Sequence, residues 1–214
     1  MKIGFLLPGT FAVGNPFNGV REQAYFQANA LEAMGHEVTR LNPWNKDDLE
    51  SLDLVQFFVG GPTMNGIEQR TPHPIKALVF APIIDSNETN NSYRWAMRLG
   101  SLHSKVMTTP GMFARQAAAT KLSVARSEHE KRRLELGLNV PSDKIEIVLN
   151  GADVTGVADP ELARQKFDLK GDFVLHLSRY TNGRKNVLNM VHGLGKAGLP
   201  LVIAGTSKPG KGRD

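Results

Sequence analysis

The chain has 214 residues, 41% of them hydrophobic and 22% charged, the composition of a folded globular protein rather than a disordered, collagenous or coiled-coil one. Its 26 Lys and Arg against 21 Asp and Glu leave a net charge of +5, and the absence of cysteine excludes disulfides, a thiolate nucleophile and a cysteine-ligated metal. A reducing cytosol is then the default compartment, and the longest apolar run, around residues 77–84, falls short of the roughly 18 residues that span a bilayer.

The first apolar stretch, 2–7, stops at Pro8-Gly9, too soon for the core of a signal peptide and at the right length for a buried strand. Further β-like runs follow at 37–41, 54–59, 76–80, 105–109, 121–125, 144–149, 173–178 and 201–204. Several are apolar throughout, the mark of parallel strands covered on both faces. Helical stretches alternate with them. Residues 20–34 carry Val20, Ala24, Ala28 and Leu31 on one stripe and close at Gly35, a C′ glycine. Ser127-Glu128-His129-Glu130 reads as a capping box opening a helix to Gly137. Asp159-Pro160 is an N-cap followed by an N1 proline. Such alternation predicts an α/β fold with a doubly wound parallel sheet.

A boundary is expected after Asn150-Gly151-Ala152-Asp153, dividing a Rossmann-like domain, 1–155, from a second unit, 156–214. The second unit offers strand 173–178, helix 185–197 and strand 201–204. Two parallel strands cannot cover both of their faces, so this unit reads as the incomplete opening of a domain and the chain as a fragment of a longer one.

Charge is concentrated in residues 94–133, where nine basic residues face only Glu128 and Glu130. This reads first as a solvated basic face, and also as a surface for phosphate or anionic lipid. Trp95, Leu99 and Leu102 fall at helical spacing beside Arg94 and Arg98, compatible with core packing or with a membrane-surface helix. Gly193-Leu194-Gly195-Lys196-Ala197-Gly198 matches G-x-G-x-x-G, but closes a helix instead of opening one and is set aside. Gly205 to Gly212 approximates a P-loop without its Ser or Thr. The six histidines show no metal-ligand spacing.

Two connections carry candidate chemistry. The loop before Val20 holds Gly9, Gly14 and Gly19, and could bring backbone N–H groups and a helix N-terminus close to an anionic ligand, or simply be long. Leu177-Ser178-Arg179-Tyr180-Thr181-Asn182-Gly183-Arg184-Lys185-Asn186 joins a strand to a helix. Arg179 and Lys185 could converge there on one diphosphate together with the helix N-terminus, or could merely solvate a loop.

Taken together these residues resemble the family-4 retaining glycosyltransferases of the GT-B fold. Asn18-Gly19-Val20-Arg21-Glu22 is similar to that family's Gly-Gly-Val loop and Met34-Gly35-His36-Glu37-Val38 to its next turn. Val124-Ala125-Arg126-Ser127-Glu128 resembles its strand-Ser-Glu stretch, and Ile147-Val148-Leu149-Asn150-Gly151-Ala152-Asp153 its Asn-Gly-Val-Asp motif. Arg179 with Arg184-Lys185-Asn186 resembles its Gly-Arg…Lys-Asn segment. The resemblance implies an acceptor-side domain, 1–155, and the start of a nucleotide-sugar-binding domain, 156–214. It implies Arg179 and Lys185 on the donor diphosphate and Asn18 and Gly19 at the transferred sugar or its phosphate. Asn18 and Ser178 stand where glycines are usual. Asp85 is the candidate for the family's catalytic histidine, which has no counterpart, and the family's Glu-x₇-Glu motif is missing.

The expected function is transfer of a sugar from a nucleotide-sugar to a glycan, lipid-linked or small-molecule acceptor in cell-envelope or glycan biosynthesis. Configuration would be retained, with no cofactor or metal, and this chain alone would be inactive. No nucleic-acid partner is expected; location would be cytoplasmic, with peripheral contact to an anionic membrane admitted. The alternative is a non-catalytic module that binds an anionic glycan, lipid or phosphate.

Overall fold

A computed structural model describes residues 1–9, 18–41, 49–64, 76–84, 86–102, 107–151, 156, 159–178 and 185–205, the side chains at 63, 101, 102 and 160 excepted. Two units emerge, Met1–Asp153 and Val154–Asp214. The first contains strands β1 (Lys2–Leu6), β2 (Glu37–Leu41), β3 (Leu54–Phe58), β4 (Leu78–Ala81), β5 (Leu122–Ala125) and β6 (Ile145–Ile147). They form one sheet of order β2-β1-β3-β4-β5-β6, parallel at every described pairing. Helix α1 (Gly19–Ala33) joins β1 to β2, and α2 (Asn90–Leu102) and α3 (Thr109–Ala119) lie between β4 and β5. Helix α4 (Glu128–Arg132), continued by a wider turn at Arg133–Gly137, precedes β6.

Apolar side chains on successive residues go to opposite faces of the strands. Phe57, Phe80 and Ala125 join Tyr93, Phe113 and Leu134 on one face, and Phe5, Phe58, Val79 and Val124 join Ala24 and Ala28 of α1 on the other. Phe57 stacks on Phe80 with centroids 4.6 Å apart, and Phe5 meets Phe58 edge-on at 5.1 Å. Both faces are therefore covered by helices, the doubly wound arrangement expected from the uninterrupted apolar strands.

The strand expected at 105–109 does not form where the chain is described. Thr108 is extended and its Oγ1 accepts from the N–H of Gly111 at 3.2 Å, so Thr108 caps α3 and Thr109 already belongs to it. Pro110 in the first turn favours the same outcome, since its fixed φ suits a helix start and its missing donor costs nothing there.

The second unit contains α5 (Pro160–Phe167), β7 (Val174–Leu177), α6 (Val187–Lys196) and β8 (Leu201–Ala204). Asp159 caps α5, accepting from Glu161 N–H at 2.9 Å. Strands β7 and β8 pair in parallel, and Gly198, at φ 66°, follows the end of α6. The glycine pattern at 193–198 thus ends a helix, as its position between helix and strand requires.

Candidate functional site: the carboxyl edge of each sheet

In a parallel sheet all strands end on one edge, and ligands bind where the strand order reverses. Here the reversal lies between β1 and β3, and the chain leaving β1 returns as α1. Asn18 is extended and caps this helix: its Oδ1 accepts from Val20 N–H at 3.0 Å, and its carbonyl from Glu22 N–H at 3.0 Å. Asn18 therefore does at this turn what a glycine could not, since it supplies the side-chain acceptor. Gly19 is exposed, and among the described residues nothing lies within 4 Å of where its Cβ would stand. Packing by the described residues does not require glycine there.

The loops after β3 and β4 are held with more force. Val59 (φ 62°) and Ile83 (φ 51°) are both left-handed, a backbone region that costs a β-branched residue of order 1–3 kcal/mol and persists only where its surroundings impose it. Buried Gln116 of α3 supplies part of that restraint. Its Oε1 accepts from Gly61 N–H at 2.9 Å, and its Nε2 donates to the carbonyls of Met64 at 2.9 Å and Gly61 at 3.3 Å. Gly61 has φ 77°, and a Cβ on Gly60 would sit 2.5 Å from the rings of Phe113 and Phe80.

Glu130 restrains the neighbouring loops. The capping box is half present: Ser127 Oγ accepts from Glu130 N–H at 3.1 Å. The Glu130 carboxylate, however, does not turn back to Ser127. It is buried, and accepts from Ile84 N–H at 2.6 Å, from Arg126 N–H at 2.7 Å and from the Arg126 guanidinium at 3.1 and 3.3 Å, tying the ends of β4 and β5 together. Arg133 is also buried, correcting the reading of segment 94–133 as wholly solvated. Its guanidinium donates to the carbonyls of Ser86 at 2.7 Å and Glu88 at 2.6 Å and covers the Tyr93 ring at 5.2 Å. Asp85 lies outside the described residues, but its neighbours Ile84 and Ser86 are the anchored ones.

In the second unit Ser178 follows β7, its N–H donating to the Ala204 carbonyl at 3.0 Å. His176 Nε2 lies 2.7 Å from Ser178 Oγ. Gly205, at φ 146°, brings its backbone against the Ser178 carbonyl so closely that a side chain there would overlap it. Lys185 is exposed one residue before Asn186, which takes a left-handed turn (φ 53°) into α6. Arg179 and the residues after Gly205 lie outside the described residues, so of the expected diphosphate pair only Lys185 is placed. The structure thus brings Asn18 and Gly19 together in the first unit and sets Lys185 at a helix start in the second.

What the sequence did not signal is the restraint behind the edge: Gln116, Glu130 and Arg133. The Gly60-Gly61 pair was the available clue to the first of these. No group of acidic and histidine side chains able to hold a metal occurs among the described residues, and no described helix is long and apolar enough to cross a membrane.

The fold can be compared with known ones. No protein-family model matches the sequence, and no curated protein does. The chain is similar in structure to a glycosyltransferase from Rickettsia africae, with a TM-score of 0.51 at 14% identity over 96% of this chain and 68% of that one. The parallel α/β, Rossmann-like architecture is one that a glycosyltransferase also has.

Proposed function

We propose that the chain carries the acceptor-side domain and the first strands of the donor-side domain of a GT-B glycosyltransferase resembling family 4. Its reaction is transfer of a sugar from a nucleotide-sugar to a glycan, lipid-linked or small-molecule acceptor with retention of configuration. The observation that carries this reading is the Asn18-capped α1, with no described residue within 4 Å of a Cβ on Gly19, at the strand-order reversal of a fold shared with a glycosyltransferase. A glycine at this place lets a ligand approach the backbone closely, and a helix N-terminus favours an anionic one.

In this reading Arg179 and Lys185 take the donor diphosphate and meet the charge that grows as the glycosyl bond breaks. Gly19 leaves room for the transferred sugar, and Asp85 is the candidate for the position of the family's catalytic histidine. No metal or cofactor has a part in it. Calorimetric titration with nucleoside diphosphates tests the grip. The double change Arg179→Ala, Lys185→Ala is expected to weaken binding about a hundredfold, at about 1.5 kcal/mol per charged hydrogen bond. Unchanged affinity removes these residues from the site. Gly19→Val is expected to leave the melting temperature in place while abolishing sugar transfer by the protein carrying the complete donor domain; normal transfer frees Gly19 of its role.

A further inference from the structure

Helix α2 carries an exposed outer face. Its inner side carries Tyr93, which is buried, and Met97, which packs on the core. At about 100° per residue, Arg94, Arg98, Asn91, Trp95 and Leu99 follow one another around the outer side as one arc, and all are exposed. Trp95 is 63% and Leu99 56% accessible, and the Arg98 guanidinium lies 5.8 Å from the Trp95 ring centre. Alongside runs a groove of about 430 Å³ lined by Arg94, Met97, Arg98, Glu135, Leu136 and Asn139, with Leu136 57% accessible. Glu135 is engaged elsewhere, accepting from Ser142 Oγ at 2.7 Å and lying 3.9 Å from Lys131 Nζ. Arg94 and Arg98 contribute two cations to the groove wall.

Apolar and aromatic side chains interleaved with arginines on one helix face are the pattern of a helix lying in a lipid interface. Indole settles at the headgroup level, and a guanidinium fork matches a phosphate. We propose that α2 docks this chain on an anionic phospholipid bilayer. Trp95, Leu99 and Leu136 enter the boundary of the acyl chains, and Arg94 and Arg98 take lipid phosphates. A soluble polyanion would engage the arginines and leave Trp95 in water. The inference uses none of the residues assigned to donor binding and stands apart from that reading.

The chain has two tryptophans, so Trp44→Phe leaves Trp95 as the sole indole. Its emission is expected to shift to the blue on vesicles of equimolar phosphatidylcholine and phosphatidylglycerol, and not on phosphatidylcholine alone. Arg94→Gln with Arg98→Gln is expected to lower partitioning about 30-fold, at about fivefold per cation near an anionic surface. Leu99→Ser should weaken it with no change of charge. Should the arginine variant lose its folded circular dichroism spectrum, the emission shift of the Trp44→Phe protein decides alone. An unmoved Trp95 emission on anionic vesicles overturns the proposal, also where polyphosphate or RNA binds tightly. Partitioning undiminished in a folded double-arginine variant overturns it as well.

Discussion

Residues 1–153 and 154–214 are written in the same style, apolar strands alternating with amphipathic helices, yet they bury their side chains differently. In the first unit Phe57, Phe58, Phe80 and Leu134 are wholly buried, because helices cover both faces of six strands. In the second, Leu175, Leu177, Leu188 and Leu199 are each more than half exposed around a sheet of two. An apolar strand becomes core only when a layer lies on each side of it, so hydrophobic pattern reports the capacity for burial and sheet width decides how much is realised.

The sharpest break with this comparison would be equal sensitivity to truncation. Phe80→Ala is expected to destabilise the first unit by about 3–5 kcal/mol, measured by urea unfolding with the fluorescence of Trp44 and Trp95, both in that unit. Leu177→Ala is expected to change the opening free energy of β7, measured by amide hydrogen exchange, by less than about 0.5 kcal/mol. A loss at Leu177 as large as that at Phe80 would mean that β7 is covered in solution.

A smaller effect separates the units by their polar interiors. The first unit buries Glu130 with backbone and guanidinium donors around it, and the second has no buried charge among its described residues. Glu130→Ala would strand the N–H groups of Ile84 and Arg126, and is expected to cost about 3 kcal/mol. The urea midpoint checks this, and Glu130→Gln, which retains one acceptor, should recover part of the loss. Glu161 of the second unit is 63% exposed at its side chain and 3.8 Å from Arg164; Glu161→Ala should change stability by less than about 0.5 kcal/mol.

These contrasts show what could be read in advance. Strands 37–41 and 201–204 and the caps at Asp159 and Ser127 follow from short-range rules, in which an apolar run or a hydroxyl at the right offset decides the outcome. The strand expected at 105–109 failed by the same kind of rule, for Thr108 and Pro110 start a helix that the apolar pattern did not reveal. The burial of Glu130 and Arg133 is not legible locally, because Ile84, which donates to Glu130, and Ser86 and Glu88, which accept from Arg133, are more than 40 residues away in sequence. The left-handed turns at Val59 and Ile83 escaped notice because β-branched residues ordinarily argue against them. At the candidate site, Asn18 could be read as a cap from its residue type, whereas the space that the described residues leave around Gly19 depends on how the sheet edge is assembled.

The smallest expected effect lies on the surface, where the two units should converge. Asp53 clips the amino edge of the first sheet: its carboxylate accepts from Lys76 Nζ at 2.8 Å and from Lys2 N–H at 2.9 Å. The bond from Lys76, and next that from the Lys2 backbone, hold its pKa below the ordinary value. A carboxylate whose pKa is lower folded than unfolded adds stability that is complete above the unfolded value, about 3.9, and disappears as pH falls through the folded one. The difference in stability between the parent and Asp53→Asn should thus be constant from about pH 7 to 5 and shrink below about pH 4. In the second unit, Asp168 lies 3.6 Å from Lys170 with both side chains more than 80% exposed, and removing the pair by Lys170→Gln should leave stability nearly unchanged, since an ion pair so open to water gains little. Thermal melts across that range would separate the two, and a pH-independent difference at Asp53 would show that the clip does not hold in solution.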